Sequence, residues 1–238
     1  GRLGALRSIM NYKNIEILYE DNHLLVVVKP QGVPSQADKS GDEDMLGMLK
    51  AYLKEKYDKP GNVYLGLVHR LDRPTGGVMV FAKTAPAAAK LSQAIAGGTL
   101  QKEYLAVLGA RPKDDSGELF DLLFHDRFKN KTYVVSKERK GVKKASLSYR
   151  VVAEADGLCL VHVRLHTGRT HQIRVQFASR GMPLVGDGKY GSRKNAVSPA
   201  LWSYALTLPM GGAIARIRAL PEAAGVWAPF EQALRMLT

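Results

Sequence analysis

Three short segments carry residue types that could do chemistry. In His69-Arg70-Leu71-Asp72-Arg73-Pro74-Thr75-Gly76-Gly77 a carboxylate sits between arginines, in a loop between two strand-like stretches. Pro74 fixes one backbone angle, and the glycines allow a turn or the close approach of another chain. A carboxylate in that setting can stay ionised and face an electron-poor carbon as a nucleophile. The same residues also suit an Asp in a structural salt bridge. In Leu165 to Arg174, Gly168 and Thr170 suggest a sharp entry into a helix, with Thr170 as the cap of a helix from His171 to Ser179. Arg169 and Arg174 then lie near the helix start, where a phosphate or carboxylate is welcome; a capped helix with exposed arginines is the plainer alternative. In Gln101 to Val107, strand alternation puts Tyr104 on the side of Lys102 and Ala106. An aromatic beside a lysine can stack on a base, or can be an ordinary packed sheet residue.

Other chemistries find little support. Cys159 is the one cysteine, so no internal disulfide and no thiolate zinc site can form; within Leu158 to Val163 it reads as a small buried residue, compatible with a reducing cytoplasm. His162 and His166 share a strand face but stand about 13 Å apart, too far to chelate one ion, and no metal is expected. The run Gly186-Asp187-Gly188-Lys189-Tyr190-Gly191 lacks the strand-turn-helix frame of a nucleotide loop, so no cofactor is expected either.

Charge points to the partner. Lys and Arg number 35 against 22 Asp and Glu, a formal net charge of +13. From Arg127 to Arg150 nine basic residues face one acidic residue, Glu138, and from Arg164 to Lys194 seven face Asp187 alone. Two basic blocks suit a polyanion bound with counterion release. No apolar stretch approaches the roughly 18 to 20 residues of a membrane span, and nothing near the start reads as a signal peptide. Met10 reads as a natural start, which makes residues 1–9 an appended segment and 1–13 a tail.

The elements that would position these residues are strands at Ile15–Tyr19, Leu24–Lys29, Val63–Val68 and Val78–Lys83, followed by Glu103–Leu108, Leu119–Phe124, Thr132–Val135, Ala145–Ala153 and Leu158–Leu165. Helices are expected over Asp42–Tyr57 and from Thr84, a good N-cap, to Ala96, with Gly97-Gly98 as the stop. No element is assigned beyond Pro183. Many strands with few helices, not regularly alternating, predict an α+β fold: a mixed, mainly antiparallel central sheet flanked by a few helices and loops.

In this order, the segments resemble the RluA family of pseudouridine synthases. His69-Arg70-Leu71-Asp72 with Thr75 and Gly77 is similar to its HRLD-x-x-[TS]-x-G signature, Thr167 to Arg174 to its TGRTHQIR segment, and Lys102-Glu103-Tyr104 to its K-x-Y strand. Asp21 to Pro30 with Gly32 resembles its opening hairpin, and Gly186-Asp187 to Tyr190-Gly191 a later loop. The likeness runs from about residue 14 to 230. Gly76, Gln176 and Val28 depart from the usual pattern and touch no assigned catalytic position.

The resemblance implies a pseudouridine-synthase catalytic domain over 14–238 with an active-site cleft; many members also carry an S4-type domain at the N-terminus, for which the stretch before Ile15 reads as too short. It implies that Asp72 is the catalytic carboxylate, Arg174 the basic residue paired with it, and Tyr104 the ring that stacks on uracil. Arg70 would hold the flipped-out state and Ile173 would line the pocket. His69, Thr75, Lys102, Arg169 and His171 complete the expected RNA contacts. The expected partner is structured RNA, ribosomal first and transfer RNA second, acted on by a cytoplasmic monomer without membrane or cofactor. A non-catalytic RNA-binding or chaperone protein on the same scaffold is the competing reading; an RNA hydrolase would need a water-activating cluster that the sequence does not offer.

Overall fold

The computed structural model describes residues 14–237. The reading of residues 1–13 as a tail lies outside them. The chain divides into two compact units, one holding residues up to Leu100 with Ala205–Ala219, the other Gln101–Tyr204 with residues from Leu220 on.

The first unit is built on β1 (Ile17–Glu20), β2 (Leu24–Lys29), β3 (Gly66–Leu67), β4 (Gly76–Ala82), the Ala205–Met210 part of β10 (Leu201–Met210) and β11 (Ala213–Arg218). The order is β1-β2-β4-β10, with β3 beside β4 and β11 beside β10. The β1–β2 turn closes because Asp21 Oδ1 accepts from the N–H groups of His23 and Leu24, each at 2.7 Å. β2 and β4 are buried along almost their whole length, which requires cover on both faces and explains their unbroken apolar runs. Helix α2 (Ala85–Ala96) covers one face: Ala87, Leu91 and Ala94 pack with Leu24, Val26, Val78 and Val80. Thr84 caps it as expected, Oγ1 accepting from Ala87 N–H at 3.2 Å. Helix α1 (Met45–Lys56) begins at Asp44, whose side chain accepts from Gly47 N–H. It is tied to β1 through Glu20, which accepts from Tyr52 Oη at 2.6 Å and Lys56 Nζ at 3.0 Å.

The second unit is an antiparallel sheet in the order β5-β9-β8-β6-β7: β5 (Gln101–Leu108), β6 (Ser116–Asp126), β7 (Lys131–Val135), β8 (Val142–Ala155) and β9 (Leu158–Leu165). Asp156-Gly157 joins β8 to β9 with φ of 54° and 75°, the left-handed values a two-residue hairpin turn demands. Helix α3 (Gln172–Ala178) packs on this sheet, Phe177 meeting Tyr149 edge-on at 5.7 Å between centroids. Cys159 is buried as read, and burial pushes its thiol up to about 11. A last short helix, α4 (Glu231–Arg235), follows a 3-10 segment, Gly225–Phe230.

The α+β architecture is the expected one. The structure corrects several details. Only Gly66–Leu67 of the strand read at Val63–Val68 pairs in the sheet. β10, β11 and α4 lie where no element was assigned. Thr170 does not cap α3: His171 holds the N-cap position with a left-handed φ of 55° and no side-chain cap. The entry is closed by Gln172 instead. Its Oε1 accepts from Thr167 Oγ1 at 2.8 Å and Arg169 N–H at 3.0 Å, while its Nε2 donates to Ser146 O at 3.0 Å. Among the described residues no helix is long and apolar enough to cross a membrane.

Candidate active site

Asp72 sits half-buried in the loop entering β4, and the loop is gripped on both sides of it. On the Leu71 side, the buried Ser35 hydroxyl donates to Leu71 O at 2.8 Å and accepts from Leu71 N–H at 3.1 Å. On the Arg73 side, Arg73 O accepts from Lys29 Nζ and Gly32 N–H, both at 2.9 Å. The turn is closed by Thr75 N–H to Asp72 O at 2.9 Å. Lys29 reaches this place because the β2–β4 register sets it opposite Gly77. Its Nζ also donates to Val33 O at 2.5 Å and Pro30 O at 3.1 Å. Burial pulls this ammonium down to about 7, the Asp72 carboxylate pulls it back up, and Arg73 adds to the lowering.

The arginines flanking Asp72 have different fates. Arg70 is exposed. The Arg73 guanidinium instead pairs with Asp42 and donates to Ser40 Oγ at 3.1 Å, bracing the 38–42 loop. His69 is buried, Nε2 accepting from Val80 N–H at 3.0 Å, so the ring latches the loop to β4. Thr75 is buried too.

In the second unit, α3 separates the two arginines that the sequence groups at its start. Arg169 stays exposed, with Nε on Lys144 O at 2.8 Å. Arg174 is buried and donates from Nε and Nη2 to the two carboxylate oxygens of Asp187, at 2.8 and 2.9 Å. Its Cζ lies 5.0 Å from the Tyr190 ring centroid. Ile173 is buried beside it, and His171 is buried with Nδ1 2.6 Å from Tyr190 Oη. Tyr104 is buried in β5 opposite Val163, and Lys102 lies opposite Leu165 at the same end of the β5–β9 pair. Burial lowers the Lys102 pKa. His162 is committed to Glu103, 2.8 Å from its Oε1.

The sequence reading missed Lys29 and Ser35, which hold the Asp72 loop in the first unit, and Asp187 and Tyr190, which hold Arg174 in the second. Lys29 had a visible signal, a lysine closing an otherwise apolar strand. Ser35, Asp187 and Tyr190 are joined to their partners only by the tertiary fold.

The chain matches the family described as RNA pseudouridylate synthase over residues 23–179, a span that includes Asp72, Tyr104 and Arg174. The chain belongs to this family. An RNA pseudouridine synthase of Bacillus subtilis, described as uncharacterized, is 37% identical over 79% of this chain and 61% of its own length. The ribosomal large subunit pseudouridine synthase D of Zymomonas mobilis is 36% identical over 80% of this chain and 60% of its own. The chain thus spans about six tenths of the length of these curated relatives. In fold, this pseudouridylate synthase family member resembles human RNA pseudouridylate synthase domain containing 4, with a TM-score of 0.77, 21% identity, and 98% of this chain and 97% of that one covered. The corresponding human domain-containing 1 protein gives 0.72 at 20% identity, with 96% and 97% covered.

Proposed function

We propose that this chain isomerises uridine to pseudouridine in structured RNA, with Asp72 as the catalytic carboxylate. The observation that carries the reading is the double grip on the backbone around Asp72, by Ser35 on Leu71 and by Lys29 and Gly32 on Arg73, in a chain of this family. A reacting group held in one place lowers the barrier by removing its freedom before the reaction starts.

The reaction breaks the N1–C1′ bond, turns the uracil and joins C5 to C1′. The proton displaced from C5 is balanced by one gained at N1. No electrons or groups enter, so the chemistry needs no cofactor. The uridine must first leave its stack, at a cost of a few kcal/mol. In this reading the exposed Arg70 fills the gap and Tyr104 stacks on the base, worth about 1–3 kcal/mol. Asp72 either adds to C1′ to give a sugar ester or takes the C2′ proton to give a glycal. Both routes need the ionised form, which a guanidinium favours, and the family resemblance gives that part to Arg174.

Ile173 lines the uracil pocket, while Lys102 and Arg169 contact the RNA. The buried His69, Thr75 and His171 serve by holding the segments that carry these residues. Residues 14–238 together make up the catalytic domain. The exposed cations Arg127, Lys129, Lys137, Arg139, Lys140, Lys143 and Lys144 supply an accessory RNA contact. Ribosomal RNA is the first candidate substrate, supported by the large-subunit names of several relatives, and transfer RNA the second. The lone, buried Cys159 suits a reducing cytoplasm.

The test maps pseudouridines by carbodiimide labelling and primer extension in cells with and without the gene. A signal that is lost and then restored by wild type but not by Asp72→Asn supports the reading. Restoration by Asp72→Asn refutes the catalytic assignment, and full maps without any lost signal favour an RNA-binding protein.

A further inference from the structure

The grip on Arg174 is more elaborate than packing requires. Asp187 takes the guanidinium side-on through Nε and Nη2, and both residues are buried, with side chains 8% and 1% exposed. Such a pair loses the hydration of two ions, and apolar residues of the same volume would stabilise a core as well or better. Side-on pairing nevertheless does something an apolar contact does not: it fixes the plane of the guanidinium and directs its Nη1 side to other groups.

The rest of the surroundings repeat that restraint. The Tyr190 ring lies against Arg174 Cζ at 5.0 Å. That ring is itself held at its hydroxyl, which accepts from Thr132 N–H at 2.9 Å and shares a hydrogen with His171 Nδ1 at 2.6 Å. The Asp187 carbonyl accepts from Tyr190 N–H at 3.2 Å and Ser192 N–H at 3.0 Å, so carboxylate and ring belong to one closed loop. Gly186 makes that loop possible. Its φ is +83°, and a Cβ there would come within 2.5 Å of Ser198 O.

We infer that Asp187 and Tyr190 are positioning residues that hold the Arg174 guanidinium in one plane for the isomerisation. They act on the reaction through Arg174. The inference rests on the reading of Arg174 as part of the catalytic machinery. Both residues lie in the Gly186–Gly191 loop, which the sequence already likened to a later loop of the family and which follows the matched residues 23–179.

The experiment uses the whole chain and a C5-tritiated ribosomal RNA transcript, with tritium release followed in single turnover and RNA affinity by filter binding. Asp187→Asn is expected to slow release about 100-fold, the scale of a misplacement near 1 Å, with affinity within about twofold of wild type. Asp187→Glu keeps the charge and should recover about tenfold of that loss, and Tyr190→Phe should cost about threefold. In an Arg174→Lys background, Asp187→Asn should add less than about threefold, because the fork it holds is gone. A wild-type rate in Asp187→Asn, or the same 100-fold loss in the Arg174→Lys background, overturns the inference. If Asp187→Asn fails to fold, wild-type rates in both Asp187→Glu and Tyr190→Phe overturn it. A readout independent of turnover is the 15Nε spectrum of Arg174, which should show hindered guanidinium rotation in wild type. Free rotation there overturns the inference whether or not the chain is active. A rigid Arg174 with no tritium release from the ribosomal transcript or from C5-tritiated transfer RNA would sink the proposed activity, and with it the purpose assigned to the pair.

Discussion

Replacing Lys29 with Met should open a stability gap that grows with pH. Lys29 is fully buried, and burial brings its ammonium from 10.5 down to about 7. The unfolded chain keeps its proton up to the ordinary value of 10.5, so between about 7 and 10.5 the unfolded state binds more protons than the folded one. Stability of the wild type therefore rises with pH across that window and is flat below it. Met titrates nothing, so the difference between the two proteins isolates Lys29. At about 1.4 kcal/mol per pH unit, the gap should widen in favour of wild type by roughly 2–3 kcal/mol between pH 6 and pH 9. The opposing effect is visible in the structure. Three carbonyls, those of Pro30, Val33 and Arg73, match the three hydrogens of an ammonium, whereas a neutral amine has two. Urea unfolding of both proteins at the two pH values, followed by far-ultraviolet circular dichroism with matched slopes, decides between them. A gap that stays flat means the carbonyls keep the proton, and the argument from burial is refuted.

Two further perturbations read other parts of the molecule. Reversing Arg127, Lys129 and Lys137 to Glu should reduce the slope of log affinity against log salt by about 2–3, since each phosphate contact contributes about 0.7–0.9. An unchanged slope and affinity would remove this surface from the RNA footprint. Gly186→Ala sets a Cβ 2.5 Å from Ser198 O and 2.7 Å from Ala196 Cβ at a positive φ, so the 186–191 loop must shift. It should cost more than about 1 kcal/mol in thermal unfolding. A melting temperature equal to wild type would show the loop to be adaptable.

Local signals explain where the sequence was legible. Thr84, a helix-forming run and Gly97-Gly98 delimit α2, because caps and stops act on their own neighbours. Leu24–Lys29 and Leu158–Leu165 read as strands from apolar, β-branched runs between turn residues, and both are found at those bounds. Thr170 misled because its type suits a cap, while the helix entry is closed by Gln172 reaching Thr167, Arg169 and Ser146. β10 went unread because Leu201 to Leu206 is buried at every position, so it shows no alternation of exposed and buried residues.

The candidate residues Asp72, Tyr104 and Arg174 were singled out by the resemblance of their segments to a known family, and the basic surplus that points to a polyanion was legible in composition. Tertiary structure alone decided their settings. It turned Arg73 away to Asp42, left Arg169 in solvent, and buried Arg174 against Asp187, which lies 13 residues further on. It also brought Lys29 to Arg73 O across 44 residues. Composition can show that a charge exists, but which charge is stripped of water, and by what it is then held, depends on neighbours that only folding supplies.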